Sequence, residues 1–255
     1  MTVDDGTAAA FLADTFDRLV AAGTRDAAAV LAARQRFEDR RGKVFQEEDL
    51  WETWSATFVE WFVLESVAPG RAAPVAVDAL AAARAAGDDA GARAIAAWLT
   101  SHRSLWSVER IGAGWVELLD LLGGAHVRVT EPRELHGVAV GEVAELRVIG
   151  YADRVWFGRA ILYHPRGTRD ALVEQARKVG AAGGDRRAVL DHTAQLRARV
   201  LRYPRFDAPR DADVLARFDD GLPAVLERRI GTGHVIALAL PLDAQSGAQR
   251  WRSPP

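Results

Sequence analysis

The sequence predicts an α+β fold: an N-terminal helical bundle, a small curved antiparallel sheet or barrel, two further helices and a C-terminal β-hairpin segment. Apolar residues recur at helical spacing through the first hundred residues, and near residue 101 the period falls from 3.6 to 2. Glycine-rich breaks then separate short alternating runs, which is typical of strands in a strongly curved sheet. The predicted parts are a helical domain (1–100), a small β-barrel (101–165), a two-helix basic segment (166–210), and appended β-hairpins with a disordered tail (211–255).

Five segments of the helical domain show helical spacing: 7–22, 25–40, 46–66, 74–86 and 88–100. Thr24 is the expected N-cap of the second helix. Glu47, Glu48 and Asp49 are expected in the first turn of the third helix, where carboxylates suit the positive end of the helix dipole. The aromatic residues of this helix fall on roughly one face, which indicates core packing more than an aromatic ligand groove. They are Trp51, Trp54, Phe58, Trp61 and Phe62.

Strand periodicity continues to Tyr163, and helical spacing returns over 168–180 and 186–202. Residues 212–242 are predicted as β structure, with a hairpin turn at Asp219-Asp220-Gly221. The tail from Ala244 is predicted to be unstructured.

Composition excludes several classes of site. The chain has no cysteine, which excludes disulfides, cysteine-ligated zinc and a thiol nucleophile. The acidic N-terminus lacks the basic start and the following apolar run of a secretory signal. The longest apolar run in the sequence is far shorter than the ~20 residues that span a bilayer. We therefore expect a cytoplasmic protein with no membrane partner.

Basic charge concentrates in residues 166–210, where 11 basic and 5 acidic side chains give a net charge of +6. This segment is the candidate surface for an anionic partner, although such a surface can instead be solvated or pair with the acidic first hundred residues. The candidate residues are Arg186, Arg187, Arg197, Arg199, Arg202 and Arg205. Together with aromatic residues on curved strands, they also suggest an RNA- or DNA-binding module. The strand candidates are Trp106, Trp115, Tyr151, Trp156 and Phe157, with Arg103, Arg128, Arg147, Arg154 and Arg159. Aromatic residues of small barrels more often fill the interior.

Local catalytic signatures are missing from the sequence. No two histidines have the spacing of a zinc-protease helix, and there is no Gly-x-Ser-x-Gly motif or Walker-type loop. Gly231-Thr232-Gly233 reads as a hairpin turn. His164, which ends a strand beside Pro165, is the histidine best placed for a special role, the alternative being a half-buried ring bonded to backbone. We predict no catalytic residue, no metal site and no cofactor.

Six stretches together resemble an uncharacterised bacterial family with a helical domain and a small β-barrel, and more loosely the barrel region of proteins with SEC-C zinc tails. They are 37–45, 51–64, 102–108, 116–124, 137–142 and 157–165, for example Phe157-Gly158-Arg159-Ala160-Ile161-Leu162-Tyr163-His164-Pro165. The likeness spans roughly 25–205 and implies the fold and an accessory, non-catalytic character. It does not carry over the zinc site, because the SEC-C motif requires cysteine.

Residues 213–243 resemble a hairpin from the amidotransferase-like domain of von Willebrand A-type membrane proteins of the aerotolerance group. The metal-binding motif and membrane helices of that group are not found in this sequence, so no functional residue transfers. The sequence thus favours a cytoplasmic accessory or interaction protein without catalytic activity, with an unknown protein partner. A nucleic-acid-binding module and a hydrolase with a dispersed site are the alternatives.

Overall fold

The computed structural model describes residues 5–131, 138–202, 213–217, 223–230 and 233–238. The chain divides into two compact units, Met1–Arg197 and Ala198–Pro255. Seven helices and two antiparallel sheets within the described residues confirm the α+β class. No helix in this part of the chain is both long enough and apolar enough to cross a membrane.

The described elements follow the predicted order. The helices are α1 (Asp5–Gly23), α2 (Ala27–Arg41), α3 (Trp51–Leu64), α4 (Val75–Ala85), α5 (Asp89–Leu99), α6 (Arg169–Ala181) and α7 (Arg186–Arg202). The strands of the first unit are β1 (His102–Gly112), β2 (Trp115–Asp120), β3 (His126–Thr130), β4 (Val143–Tyr151) and β5 (Arg154–Tyr163). Those of the second are β6 (Asp213–Arg217), β7 (Pro223–Ile230) and β8 (Gly233–Leu238).

Two helix starts differ from the prediction. The α2 N-cap is Asp26, whose carboxylate accepts a hydrogen bond from the Ala29 amide at 3.1 Å. Thr24 instead donates its hydroxyl to the Val20 carbonyl at 2.9 Å, at the end of α1. A carboxylate three residues before its amide partner suits the cap better than a hydroxyl already bonded to the preceding helix.

The start of α3 was also predicted too early. The helix begins at Trp51, so Glu47, Glu48 and Asp49 precede it. Glu48 accepts a hydrogen bond from the Phe45 amide at 2.6 Å, which closes a separate turn before the helix. Such local side-chain bonds compete with helix formation.

The aromatic face of α3 packs into the core, as the spacing indicated. Trp54, Phe58 and Phe62 are buried, and the Phe37 ring of α2 lies 5.9 Å from the Trp54 ring and 5.5 Å from that of Phe58. This packing fixes α2 and α3 beside each other, next to the sheet.

The five-stranded sheet has the order β3-β2-β1-β4-β5. Its first four strands form a Greek key, because β4 returns to lie beside β1. Register shifts in the β1–β2 and β4–β5 pairs, with the extra residues in β1 and β5, bend the sheet. Strands β3 and β5 approach each other without hydrogen-bonded pairing. Of the two predicted forms, the structure is the curved sheet, and it is not closed into a barrel.

The two faces of this sheet have different chemistry. The inner face is apolar and includes Trp106, Leu118 and Leu146. The other face contacts the helices, where Leu105 of β1 packs against Val189 and Leu190 of α7. Charged side chains occupy the same side of β1 and β4 as Leu105, since they alternate with the inner residues.

The second unit contains a three-stranded antiparallel sheet of order β6-β7-β8. Leu226 of β7 pairs with Val214 on one side and with Ala237 on the other. The β structure predicted for this region is present. The predicted turn at 219–221 and the tail from Ala244 lie outside the described residues.

Candidate anion-binding pocket

Two opposite charges interrupt the apolar strand β4. Glu145 and Arg147 lie two residues apart, so both side chains point to the helix-facing side of the sheet. Both residues are buried. Because buried charges require partners, this pair is the sequence signal for an internal ion network.

Glu145 holds two arginines that are distant in sequence. It accepts hydrogen bonds from Arg41 Nη2 at 2.6 Å and from Arg103 Nε at 2.7 Å. Arg41, the last residue of α2, also contacts Asp191 of α7 at 3.3 Å. Burial raises the pKa of the Glu145 carboxyl, but the charges of Arg103 and Arg41 outweigh it and lower that pKa to about 2. Glu145 therefore stays ionised at neutral pH.

Arg147 connects the sheet to α3. Its Nε contacts Glu60 Oε2 at 3.3 Å, and its Nη2 donates to Glu65 at the C-terminus of that helix. The other Glu60 oxygen accepts from the backbone amides of Arg159 and Ala160 in β5. Glu60 thus stabilises both a buried guanidinium and a strand edge.

Gly158 of β5 lies against this contact. A methyl group at Gly158 would stand 2.6 Å from Glu60 Oε1 and 3.0 Å from Arg147 Cβ. We expect Gly158→Ala to lower the free energy of unfolding by about 1–3 kcal/mol, because the added carbon overpacks a filled site. Urea titration measures it. Gly150→Ala in β4 is the matched control, because its methyl group meets no atom within 4 Å. Equal effects of both variants would contradict the expectation.

A pocket of about 240 Å³ opens above this network. Its charged lining consists of five arginines, Arg40, Arg103, Arg147, Arg186 and Arg187, and two carboxylates, Glu65 and Asp191. Its other lining residues are Trp61, Leu64, Leu99, Leu190 and Ser101. The first two turns of α7 supply four of these residues, since positions i, i+1, i+4 and i+5 share a helix face.

Arg40, Arg186 and Arg187 form the rim of the pocket, with side chains 48%, 37% and 62% exposed. Arg40 binds Asp191 through two nitrogens. Arg186 contacts His102 and lies 3.2 Å from the buried carboxylate of Asp120. Burial raises the pKa of the Asp120 carboxyl. Hydrogen bonds from Ser104, His102 and the Leu122 amide outweigh this effect, so the pKa lies below its ordinary value.

Arg187 is the most loosely held arginine of the rim. Its Nη2 lies 3.7 Å from Glu65 Oε2, beyond hydrogen-bonding distance, and within the described residues it has no closer polar partner. Its guanidinium can therefore turn toward a bound anion at little cost.

Two of the six arginines predicted for an anionic partner meet at this pocket, Arg186 and Arg187. Arg197 lies farther along α7, half-buried, and donates to the Tyr163 carbonyl at 2.9 Å. Arg199 is exposed. Arg202 ends α7, and only its backbone position is described; Arg205 lies outside the described residues. Arg103 and Arg147, which the sequence suggested as strand arginines of a nucleic-acid-binding surface, lie in this pocket as well. Sequence reasoning missed Arg40.

The aromatic residues considered for nucleic-acid binding have different positions. Trp106 and Trp156 are buried and donate their indole N–H groups to the carbonyls of Leu146 and Tyr151. Trp115 lies on the side of β2 opposite the apolar inner face, and its ring lies 4.3 Å from the Arg128 guanidinium. Glu117 forms ion pairs with both Arg110 and Arg128 there, which reduces the positive charge of that face.

His164 is buried, whereas the sequence suggested a half-buried ring. Its Nε2 has no hydrogen-bond partner within the described part of the chain. Burial lowers the pKa of His164 to about 4, with Arg197 and Arg41 acting in the same direction and Glu145 opposing them. The ring is thus neutral at pH 7. No group of three or more histidine, aspartate or glutamate side chains among the described residues is placed to hold a metal ion.

The chain matches no family model, no curated protein and no solved structure. Both resemblances drawn from the sequence therefore stay predictions.

Proposed function

We propose that this protein is an accessory protein without catalytic activity that binds an anionic ligand in the arginine pocket. The observation that carries the proposal is the convergence of five guanidinium groups on one cavity. Guanidinium groups bind carboxylate and phosphate oxygens in bidentate geometry and stay charged at all physiological pH values. Arg103 and Arg147 are held by buried carboxylates, so the base of the pocket is ordered before a ligand arrives.

The ionisable groups of the pocket suit binding better than proton transfer. Burial raises the pKa of Glu65, but the charges of Arg103 and Arg147 outweigh it, and the net pKa is below its ordinary value. A general acid or base works best with a pKa near the operating pH. Asp191 is likewise paired with Arg40 and Arg41. Both carboxylates therefore position guanidinium groups.

The proposal is tested by isothermal titration with inorganic phosphate at low ionic strength, in a buffer free of multivalent anions. We expect measurable binding to the wild-type protein and about tenfold weaker binding to Arg187→Ala, because one charge-assisted contact is lost. Arg177→Ala is the matched control: this exposed arginine lies on α6, outside the pocket lining, and its loss should leave binding unchanged.

Two results would overturn the proposal. One is the absence of heat, and of any rise in the unfolding midpoint, at millimolar concentrations of inorganic phosphate and of organic anions such as phenyl phosphate. The other is equal weakening of binding by Arg187→Ala and Arg177→Ala, since this would indicate nonspecific attraction by the positive charges of the protein instead of a site.

A further inference from the structure

We infer that the ligand of the arginine pocket is a small phosphate monoester whose organic part is compact and apolar. This inference rests on the proposed function and adds the chemical class of the ligand. Two features of the pocket carry it, the number of rim arginines and the apolar part of the lining, and the carboxylate already inside the pocket provides a separate test.

The rim favours phosphate over carboxylate. Arg40, Arg186 and Arg187 come from two helices and surround one opening. A carboxylate has two oxygens and a single charge, which one guanidinium satisfies in bidentate geometry. A phosphate monoester has three terminal oxygens and a charge of about −1.5 to −2 at pH 7, so it can engage several guanidinium groups at once.

The apolar lining requires more than an inorganic anion. Trp61, Leu64, Leu99 and Leu190 contribute four of the twelve lining residues. Leu64 and Leu190 are buried in the wall, whereas Trp61 and Leu99 are partly exposed. Inorganic phosphate leaves Trp61 and Leu99 against water, whereas an aromatic or branched aliphatic ester group covers them and gains the corresponding hydrophobic free energy. The cavity of about 240 Å³ is smaller than the ~300–1,000 Å³ of pockets for drug-sized ligands. It therefore suits a compact monoester and is too small for a dinucleotide.

Glu65 occupies the inner side of the same pocket. It binds Arg147 and lies 3.5 Å from Arg103 and 3.7 Å from Arg187, so it is an internal anion among three guanidinium groups. A bound phosphate takes Arg187 away from Glu65 and experiences repulsion from its carboxylate. Removing this negative charge should therefore tighten binding of the ligand, whereas removing Arg187 weakens it.

Four probes test the ligand class on the full chain by isothermal titration: phenyl phosphate, inorganic phosphate, benzoate and a short peptide containing phosphotyrosine. We expect phenyl phosphate to bind at least tenfold more tightly than inorganic phosphate and than benzoate. The peptide presents the same group on a chain, and we expect it to bind more weakly than phenyl phosphate, because the pocket is compact.

Two variants test whether Glu65 and the apolar wall of the pocket determine the affinity for phenyl phosphate. Glu65→Gln should tighten phenyl phosphate binding severalfold, provided that its unfolding midpoint shows a folded protein. Leu99→Ala, at a partly exposed position of the wall, should reduce the advantage of phenyl phosphate over inorganic phosphate and leave inorganic phosphate itself unaffected.

The outcomes separate this inference from the proposed function. Equal binding of phenyl phosphate and inorganic phosphate overturns the apolar part and leaves the anion-binding function in place. If benzoate binds as tightly as phenyl phosphate or more tightly, the inference that the ligand is a phosphate is wrong. If the peptide binds more tightly than phenyl phosphate, the inference that the ligand is a free small molecule is wrong. Weaker binding to Glu65→Gln also contradicts the inference. If none of the four probes binds, both proposals fail.

Discussion

Replacing Glu145 with glutamine is expected to lower the free energy of unfolding of the first unit by about 3–5 kcal/mol. Glutamine has nearly the same shape, but it removes the negative charge between Arg41 and Arg103, of which Arg41 is fully buried. The only carboxylate contact that Arg41 then keeps is with Asp191 at 3.3 Å, and the only one that Arg103 keeps is with Glu65 at 3.5 Å. Two guanidinium charges with incomplete partners remain in a medium of low polarity. Urea unfolding followed by tryptophan fluorescence measures the loss.

Glu117→Gln is the matched control for this variant. Glu117 also pairs with two arginines, Arg110 and Arg128, but on the solvent side of β2. Water screens such exposed pairs, so we expect a much smaller effect than at Glu145. Similar losses in the two variants would mean that burial does not determine the importance of these ion pairs.

A double-mutant cycle that combines Glu145→Gln with Arg103→Met tests whether these two residues interact. Arg103→Met should cost less in the Glu145→Gln background than in the wild-type protein, because the unpaired guanidinium is then removed as well. Strictly additive losses would contradict the description of Arg103 and Glu145 as an interacting pair.

Stability is expected to fall by about 3 kcal/mol between pH 6.5 and pH 4 because of His164 alone. The folded pKa of this ring is about 4, below its ordinary value of 6.5. Within this interval the unfolded chain binds a proton that the folded chain does not, so acid favours unfolding. The contribution is fully present above pH 6.5 and lost as the pH falls through 4. Glu145, with a folded pKa of about 2, loses its contribution only below about pH 4.5.

The pH dependence is measured by urea unfolding of the wild-type protein and of His164→Phe from pH 7 to pH 4. The variant keeps a ring in the buried site and should have a flatter profile in this range. His126→Phe is the control, because this residue is exposed and its replacement shows whether loss of any histidine has the same effect. Unchanged slopes in His164→Phe would show that the buried ring is not the titrating group.

Periodicity predicted most of the fold because the determinants are local. The aromatic spacing of α3, the glycine breaks between strands and the switch of period near Ser101 are all set by neighbouring residues. The errors have local causes as well: an aspartate two residues after Thr24 is the better cap, and a bond from the Phe45 amide to Glu48 delays α3. That the five-stranded sheet is curved but not closed depends on the bulges and on how β3 approaches β5. The alternation of apolar and polar residues along the strands does not encode these features.

The candidate pocket was predictable only in part. Arg186 and Arg187 could be identified from local charge density. Arg41 and Glu145 are 104 positions apart, and their contact depends on how β4 registers with β1 and how α2 lies on the sheet. A usable signal did exist, since Glu145 and Arg147 alternate within the apolar strand Val143–Tyr151, and Glu60 interrupts the apolar helix α3.

Arg103 and Arg147 are direct cross-strand neighbours in the β1–β4 pair. Like charges in this position favour separation of the strands unless Glu65 and Glu145 lie between them. Detachment of α3 from the sheet would thus also weaken the central strand pair. Amide hydrogens at the centre of β1 and β4 should then exchange only in openings that release α3 as well, which makes the sheet and this helix one cooperative unit of hydrogen exchange.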